Sequence, residues 1–256
     1  MRLTVLGKSP SFTDAGGACS GYLVEAAGTT LLLDCGNGVF GKLRARHDHL
    51  AVDAVLISHL HADHLLDLVP YAYALRYSPR GEGSGVRPAL HAPPGTQEFL
   101  RRVVGAWGDE RLVEGAFDLH EYDPGGTLEI GALRVRFAEV PHFTRTFAVD
   151  ITADGGRITF GADHGPALEV IGALAADTDL LIEEATLLEP EPEPPRGHLT
   201  AAEAGEHAAR AGARRLLLTH FSDELEAGSL RAAAERTFGG PVGLAVEGAV
   251  FDVGGT

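Results

Sequence analysis

Three imidazoles and a carboxylate stand within six positions at His59, His61, Asp63 and His64, in the segment SHLHADHL. Imidazole nitrogens and carboxylate oxygens are donors for zinc, and also for manganese or iron, so this density of ligand atoms points to a metal site. Two surface histidines beside a helix-capping aspartate would explain a looser spacing, not this one. The apolar run 52–57 (VDAVLI) before the cassette reads as a buried strand, and 65–77 (LLDLVPYAYALRY) after it reads as an amphipathic helix. The cassette therefore sits on a strand-to-helix turn. There, alternate side chains fan toward two centres, His59 and His61 to one ion, Asp63 and His64 to another.

Four more groups recur where apolar runs end, the place where sites collect in α/β proteins. His142 follows LRVRFAEVP, Asp163 ends RITFGAD, Glu184 ends the strand-like LLIEEA, and His220 ends LLLTH. His142 gives the first ion a third imidazole, and His220 joins Asp63 and His64 at the second. Asp163 can place one oxygen on each ion and leave room for a bridging water. Two divalent ions so held lower the pKa of that water toward neutrality and neutralise charge developing on the attacked centre, the chemistry of a two-metal hydrolase.

The remaining aromatic and imidazole residues read more simply. His47, His49, His120 and His207 lie in polar or helical-surface contexts and are expected on solvated faces, while His91, in LHAPPG, is a candidate to line the cleft. Phe99, Trp107, Tyr71 and Tyr73 fall on helix-like stretches and are expected in the core. Arg76 and Arg145 are candidates to meet a phosphate.

The elements that must hold these groups alternate. RLTVLG, GYLVEA and TTLLLDCG open the chain as an antiparallel β region, and the tight turn DCGNG leads into the helical VFGKLRARH. After a flexible connector at 78–88 come a strand at 89–91, a helix started by PPGT, and two strands within 127–140. RITFGAD, ALEVIGALAA, LLIEEA, AAEAGEHAARA and RRLLLTH then repeat strand and helix, and EPEPEPP at 189–195 reads as a stiff extended loop. At 256 residues and 45% hydrophobic the chain can bury a sizeable core as one domain, 1–256. No apolar run is long enough to span a bilayer and no signal-peptide pattern opens the chain, so a cytoplasmic protein with no membrane partner is expected. Cys19 and Cys35 lack metal-ligand spacing and are expected as free thiols. Thirty-six acidic against 21 basic residues give a formal charge of -15, which disfavours RNA or another large polyanion as partner.

In the order Asp34, the cassette 59–64, His142, Asp163 and His220, the chain resembles the metallo-β-lactamase-fold hydrolases, and the match covers nearly its whole length. Within that superfamily it is similar to the ribonuclease Z and zinc phosphodiesterase branch. Glu184-Ala185-Thr186 resembles that branch's His-Glu-Ala-Thr segment, and Gly197-His198-Leu199-Thr200 its catalytic-histidine segment. Two departures stand out: Glu183 where the branch often has histidine, and His164, a candidate substrate contact, where threonine is common. The resemblance implies an α+β fold, a four-layer αβ/βα sandwich of two mixed sheets flanked by helices with the metals at the edge between them. It also implies two divalent cations, zinc first and manganese or iron as alternatives, and a homodimer that completes or shields the cleft.

His198 stands two residues ahead of Thr200-Ala201-Ala202-Glu203, a capping-box pattern that starts a helix which Gly212 closes. Free amides there would favour a phosphate, with Glu184 orienting His198 and keeping it protonated enough to assist the leaving oxygen. Asp63, Glu184 and His198 are thus the expected catalytic set. The expected activity is hydrolysis of a small phosphodiester or nucleotide substrate, 3',5'-cAMP first. The alternatives are a ribonuclease Z-type endonuclease that trims the 3' end of transfer RNA, a glyoxalase II-like thioesterase, and a metal-binding protein without catalysis. A secreted β-lactamase is not expected, since no export-signal pattern is read, and His61 stands where a flavo-diiron reductase would be expected to carry glutamate.

Overall fold

Successive strand residues face opposite sides of a sheet, and in this chain both sides are apolar. In β3 (Thr29–Leu33), Leu31 and Leu33 face the space between the sheets while Leu32 faces helices; in β11 (Leu180–Glu184), Leu180 and Ile182 face inward and Leu181 outward. Strands buried on both faces require helices outside each sheet, which gives the four-layer αβ/βα sandwich of the computed structural model. It describes residues 1–153 and 155–254.

The first sheet runs β14 (Val250–Asp252), β1 (Arg2–Gly7), β2 (Gly21–Ala26), β3, β4 (Ala54–Leu56), β5 (Ala89–Ala92), β6 (Asp118–Glu121). Its β14, β1, β2 and β3 pair antiparallel, and β3 to β6 parallel. The second runs β13 (Val242–Leu244), β12 (Leu216–Thr219), β11, β10 (Gly156–Phe160), β9 (Thr146–Ala153), β8 (Leu133–Val140), β7 (Thr127–Ile130). Here β13 to β10 pair parallel and β10 to β7 antiparallel. The central core joins Leu3, Val5 and Tyr22 of one sheet to Phe147, Val149 and Phe160 of the other. Helices α1 (Val39–Arg46), α3 (Leu68–Tyr77), α4 (Thr96–Gly105) and α5 (Leu112–Ala116) cover the first sheet, and α6 (Leu168–Leu174), α7 (Ala201–Ala211) and α8 (Ala227–Phe238) the second.

The helix expected over 65–77 is two pieces, α2 (Ala62–Leu65) and α3, because Asp67 is diverted: its carboxylate accepts the Phe40 N–H and its own N–H goes to the Cys35 carbonyl. Pro70, lacking an N–H, is tolerated in the first turn of α3. Two expected core aromatics are on the surface instead, Tyr73 at 40% and Trp107 at 49% exposure, whereas Tyr71 is buried and stacks on Phe40. Conversely His49 and His207, expected to be solvated, are buried. Among the described residues no helix is long and apolar enough to cross a membrane. Cys19 and Cys35 are buried free thiols.

Candidate metal centre

The parallel strands β3, β4, β10, β11 and β12 end at one edge of the sandwich, and the residues just past them carry the candidate ligands. Asp34, after β3, has φ 57°, a left-handed conformation that turns its buried carboxylate back under the cassette. There it accepts the Ser58 N–H (2.8 Å), the Ser58 Oγ–H (2.8 Å) and the His64 Nδ1–H (2.7 Å). Ser58 Oγ, its hydrogen committed to Asp34, accepts from His59 Nδ1 at 3.1 Å. His142 Nδ1 donates to the Gly197 carbonyl (2.7 Å), and His220 Nδ1 to Thr186 Oγ1 (2.9 Å). Four imidazoles thus have their Nδ1 hydrogens tied to oxygen, which fixes the rings with Nε2 turned inward, where a cation could take it.

Those lone pairs converge. His59, His61 and His142 form one group and Asp63, His64, Asp163 and His220 the other, each with ligand atoms within 4.8 Å of one another. Within the first, His142 Nε2 and His61 Nδ1 are 3.1 Å apart. Within the second, His64 Nε2 lies 3.2 Å from Asp163 Oδ2 and 3.6 Å from Asp63 Oδ2, and His220 Nε2 lies 3.2 Å from both carboxylates. Donors bound tetrahedrally at zinc distances would be spaced by roughly 3.3 Å. The Nε2 atoms of His59 and His64 are buried without any hydrogen-bond partner, an arrangement that costs free energy unless a cation takes the lone pair. Asp163 Oδ2 faces His64 and His220 and lies 4.0 Å from His59 Nε2, so this carboxylate stands between the groups. The donor set fits two divalent ions.

Electrostatics agree with that fit. Burial, and then His64, hold the His59 imidazole well below its usual range, so it presents a neutral ring. Asp163 is held well below the carboxylate range by His220 and His64 in spite of its burial. Asp163 and Asp34 push His64 well up against the opposing effect of burial; a metal would displace the proton it holds.

His198 and Glu184 stand beside the second group. His198 Nδ1 lies 3.0 and 3.1 Å from the two Glu184 oxygens, and its ring is 5.1 Å from that of His142 and 5.7 Å from that of His220. Burial lowers the His198 pKa, but the Glu184 carboxylate overcomes it and leaves the imidazole pushed up to about 9. Glu184 also accepts the N–H groups of His164 (2.8 Å) and Leu199 (3.2 Å). The capping box of Thr200 and Glu203 starts α7, and Gly212 closes it in the left-handed conformation. The amides ahead of it are not a free phosphate cradle, however. Those of Gly197 and His198 donate to Glu191, that of Leu199 to Glu184 and that of Thr200 to Glu203.

Other expectations are displaced. His164 is fully buried and hydrogen-bonded to Glu183, so it cannot touch a substrate. His91 stacks on His120 in a separate surface cavity of about 410 Å³ beside Tyr122 and Leu128. Arg76 pairs with Asp109 and Arg145 with Glu139. Sequence reasoning missed Ser58 and Glu191, whose roles come from contacts across the fold; a serine abutting the cassette was the available signal for the first. It also missed why Gly36 is glycine: a Cβ there would lie 1.7 Å from the Asp63 carbonyl oxygen.

The family model described as the β-lactamase superfamily domain matches residues 29–221. An uncharacterized protein of Mycobacterium leprae is 35% identical over 257 residues, covering 99% of this chain and 89% of that one. The metallo-β-lactamase fold protein YhfI of Bacillus subtilis is 30% identical over 253 residues, covering 98% and 100%, and its crystal structure superposes with a TM-score of 0.88 over 98% of each chain. A ribonuclease Z of Halorubrum lacusprofundi is 27% identical over 307 residues, covering 99% and 97%. With two seven-stranded sheets that meet at a histidine and aspartate centre, and with relatives of this extent, the chain belongs to the β-lactamase superfamily as a metallo-hydrolase.

Proposed function

We propose that the chain is a dinuclear metal-dependent phosphodiesterase acting on a small phosphodiester, with a 3',5'-cyclic nucleotide as the first substrate to test. The observation that carries this reading is the Glu184–His198 pair beside the two ligand groups. His59, His61 and His142 would hold one ion, Asp63, His64 and His220 the other, and Asp163 would serve both. Bound there, two divalent ions supply an activated water and neutralise charge on the non-bridging phosphoryl oxygens. Glu184 fixes the His198 ring through Nδ1, so Nε2 carries the proton that the leaving alkoxide takes. Phe143 adds an apolar face at the rim: it is 56% exposed, and its ring lies 5.2 Å from that of His142 and 5.9 Å from that of His198. An aromatic face so placed suits a nucleobase.

The second reading is a transfer-RNA 3'-end endonuclease, favoured by the likeness to ribonuclease Z. Against it stand the net charge of -15 and the use of the connector's cations inside the fold. Arg80 pairs with Asp48, and Arg87 donates to the carbonyls of Glu114 and Phe117. The test is hydrolysis of bis(p-nitrophenyl) phosphate, 3',5'-cAMP and a precursor transfer RNA by metal-analysed protein, with Asp63→Ala as control. Release of 5'-AMP, lost in the control, with intact transfer RNA is the expected result. Trailer cleavage with inert cAMP would establish the endonuclease instead.

A further inference from the structure

A second group of buried ionisable side chains lies behind the metal centre. Glu183, at the end of β11, is fully buried, as is His164, and His207 of α7 is 2% exposed. Glu183 Oε2 lies 2.9 Å from His164 Nε2 and 3.8 Å from His207 Nδ1, and the two rings stack at 5.3 Å, 11° from parallel. These are the residues at which the sequence departs from its branch, together with a helix histidine that pattern reading put on the surface.

Three such donors within 4.8 Å invite a metal, but their hydrogens argue otherwise. His207 Nε2 accepts the Ala167 N–H at 3.3 Å, which leaves a neutral ring with its hydrogen on Nδ1, the atom that would have to bind the ion. Nδ1 itself has no hydrogen-bond partner, and the nearest carboxylate oxygen, Glu183 Oε2, is 3.8 Å away. His164 Nδ1 faces the Gly165 carbonyl at 2.6 Å, so its Nε2 faces Glu183 in a fixed orientation.

What the Glu183–His164 pair controls is the turn after β10. Ala162 there has φ 60°, a strained backbone that persists only when its surroundings over-determine it. Asp163 is the carboxylate between the two ligand groups, and the next N–H, that of His164, holds Glu184 at 2.8 Å. We infer that Glu183 is a positioning residue: by holding His164, whose ring stacks on His207, it fixes the 162–164 turn, and through it both the Asp163 ligand and the Glu184 that orients His198. The inference rests on the two-ion reading of the centre and not on the identity of the substrate.

The test compares Glu183→Gln, Glu183→Ala and Glu183→Asp by competing zinc away with a chelator and by kinetics on whichever phosphodiester is cleaved. Glutamine keeps the length of the side chain and its amide can still hydrogen-bond His164 Nε2, so E183Q keeps zinc affinity and kcat within about threefold. Alanine removes the hydrogen bond to His164 and aspartate is too short to reach it. Either variant therefore weakens one zinc equivalent by about 10–100-fold and lowers kcat to a similar degree, with KM unchanged. Should E183A not fold, E183D against E183Q carries the comparison. Wild-type zinc affinity in folded E183A or E183D, or equal damage in E183Q, would overturn the inference. So would a third zinc equivalent in the wild type that E183A loses, since that would make the cluster a metal site. The zinc titration needs no substrate, so a failure of the phosphodiesterase reading leaves it intact.

Discussion

His198, the proposed proton donor, can be told apart from a ligand by experiment. Its Nδ1 is committed to Glu184, and although the ring lies within 4.8 Å of donors in both groups it completes neither, so His198→Ala should leave the metal content unchanged while kcat falls by about 10²–10⁴. Metal analysis beside steady-state kinetics decides this, and parallel loss of metal would reassign the residue. The sign of the pH dependence follows from the raised pKa: a donor protonated below about 9 supports turnover at lower pH and fails as pH rises through that value. Cations bound nearby pull the pKa down, so the alkaline limb of kcat lies at or below pH 9, and H198A should lack it. At this scale the residues that gather at the centre were legible because imidazole and carboxylate spacing is chemically specific. Hydrogen-bond commitments were not, since Arg145 is spent on Glu139 and the amides before α7 are spent on carboxylates.

Elements were legible where an apolar run carries a strand and where a helix is punctuated, but β9 (TFAVDITA) went unread because Asp150 and two threonines interrupt its run. The run RITFGAD gives β10, and the capping box gives the start of α7. Less was readable where polar residues alternate at a sheet edge, as in β6 (DLHE), or where a strand is only three residues long, as in β13 and β14. His207 was misread because α7 is amphipathic with alanine on its buried face, and one buried histidine among alanines has no periodic signature. Gly36 offers the sharpest test of how elements meet, because the turn after β3 touches the Asp63 carbonyl with no room for a methyl group. Gly36→Ala should destabilise the fold by about 1–3 kcal/mol and weaken metal binding. Thermal melts with and without zinc check this, and an unchanged apo melt would show that the turn moves freely.

Across the whole molecule the two ligand groups draw on both sheets. His59, His61, Asp63 and His64 follow β4 of the first sheet, while His142, Asp163 and His220 follow β8, β10 and β12 of the second. Bound ions would therefore tie the sheets together, and their removal should lower thermal stability. An ion at a thousand times its Kd contributes about 4 kcal/mol, which for a chain of this size is a drop in Tm on the order of 10 °C per ion on chelation. Scanning calorimetry of metal-loaded and chelated protein measures it, and an unchanged Tm would mean that the centre takes up no ion. The same division sets an order of events during synthesis. Chain emerges N-terminus first, and the set is incomplete until His220 of 256 residues has been made. The first cassette must leave the ribosome without its partners, so the full ligand set can close on a cation only after His220 has been made.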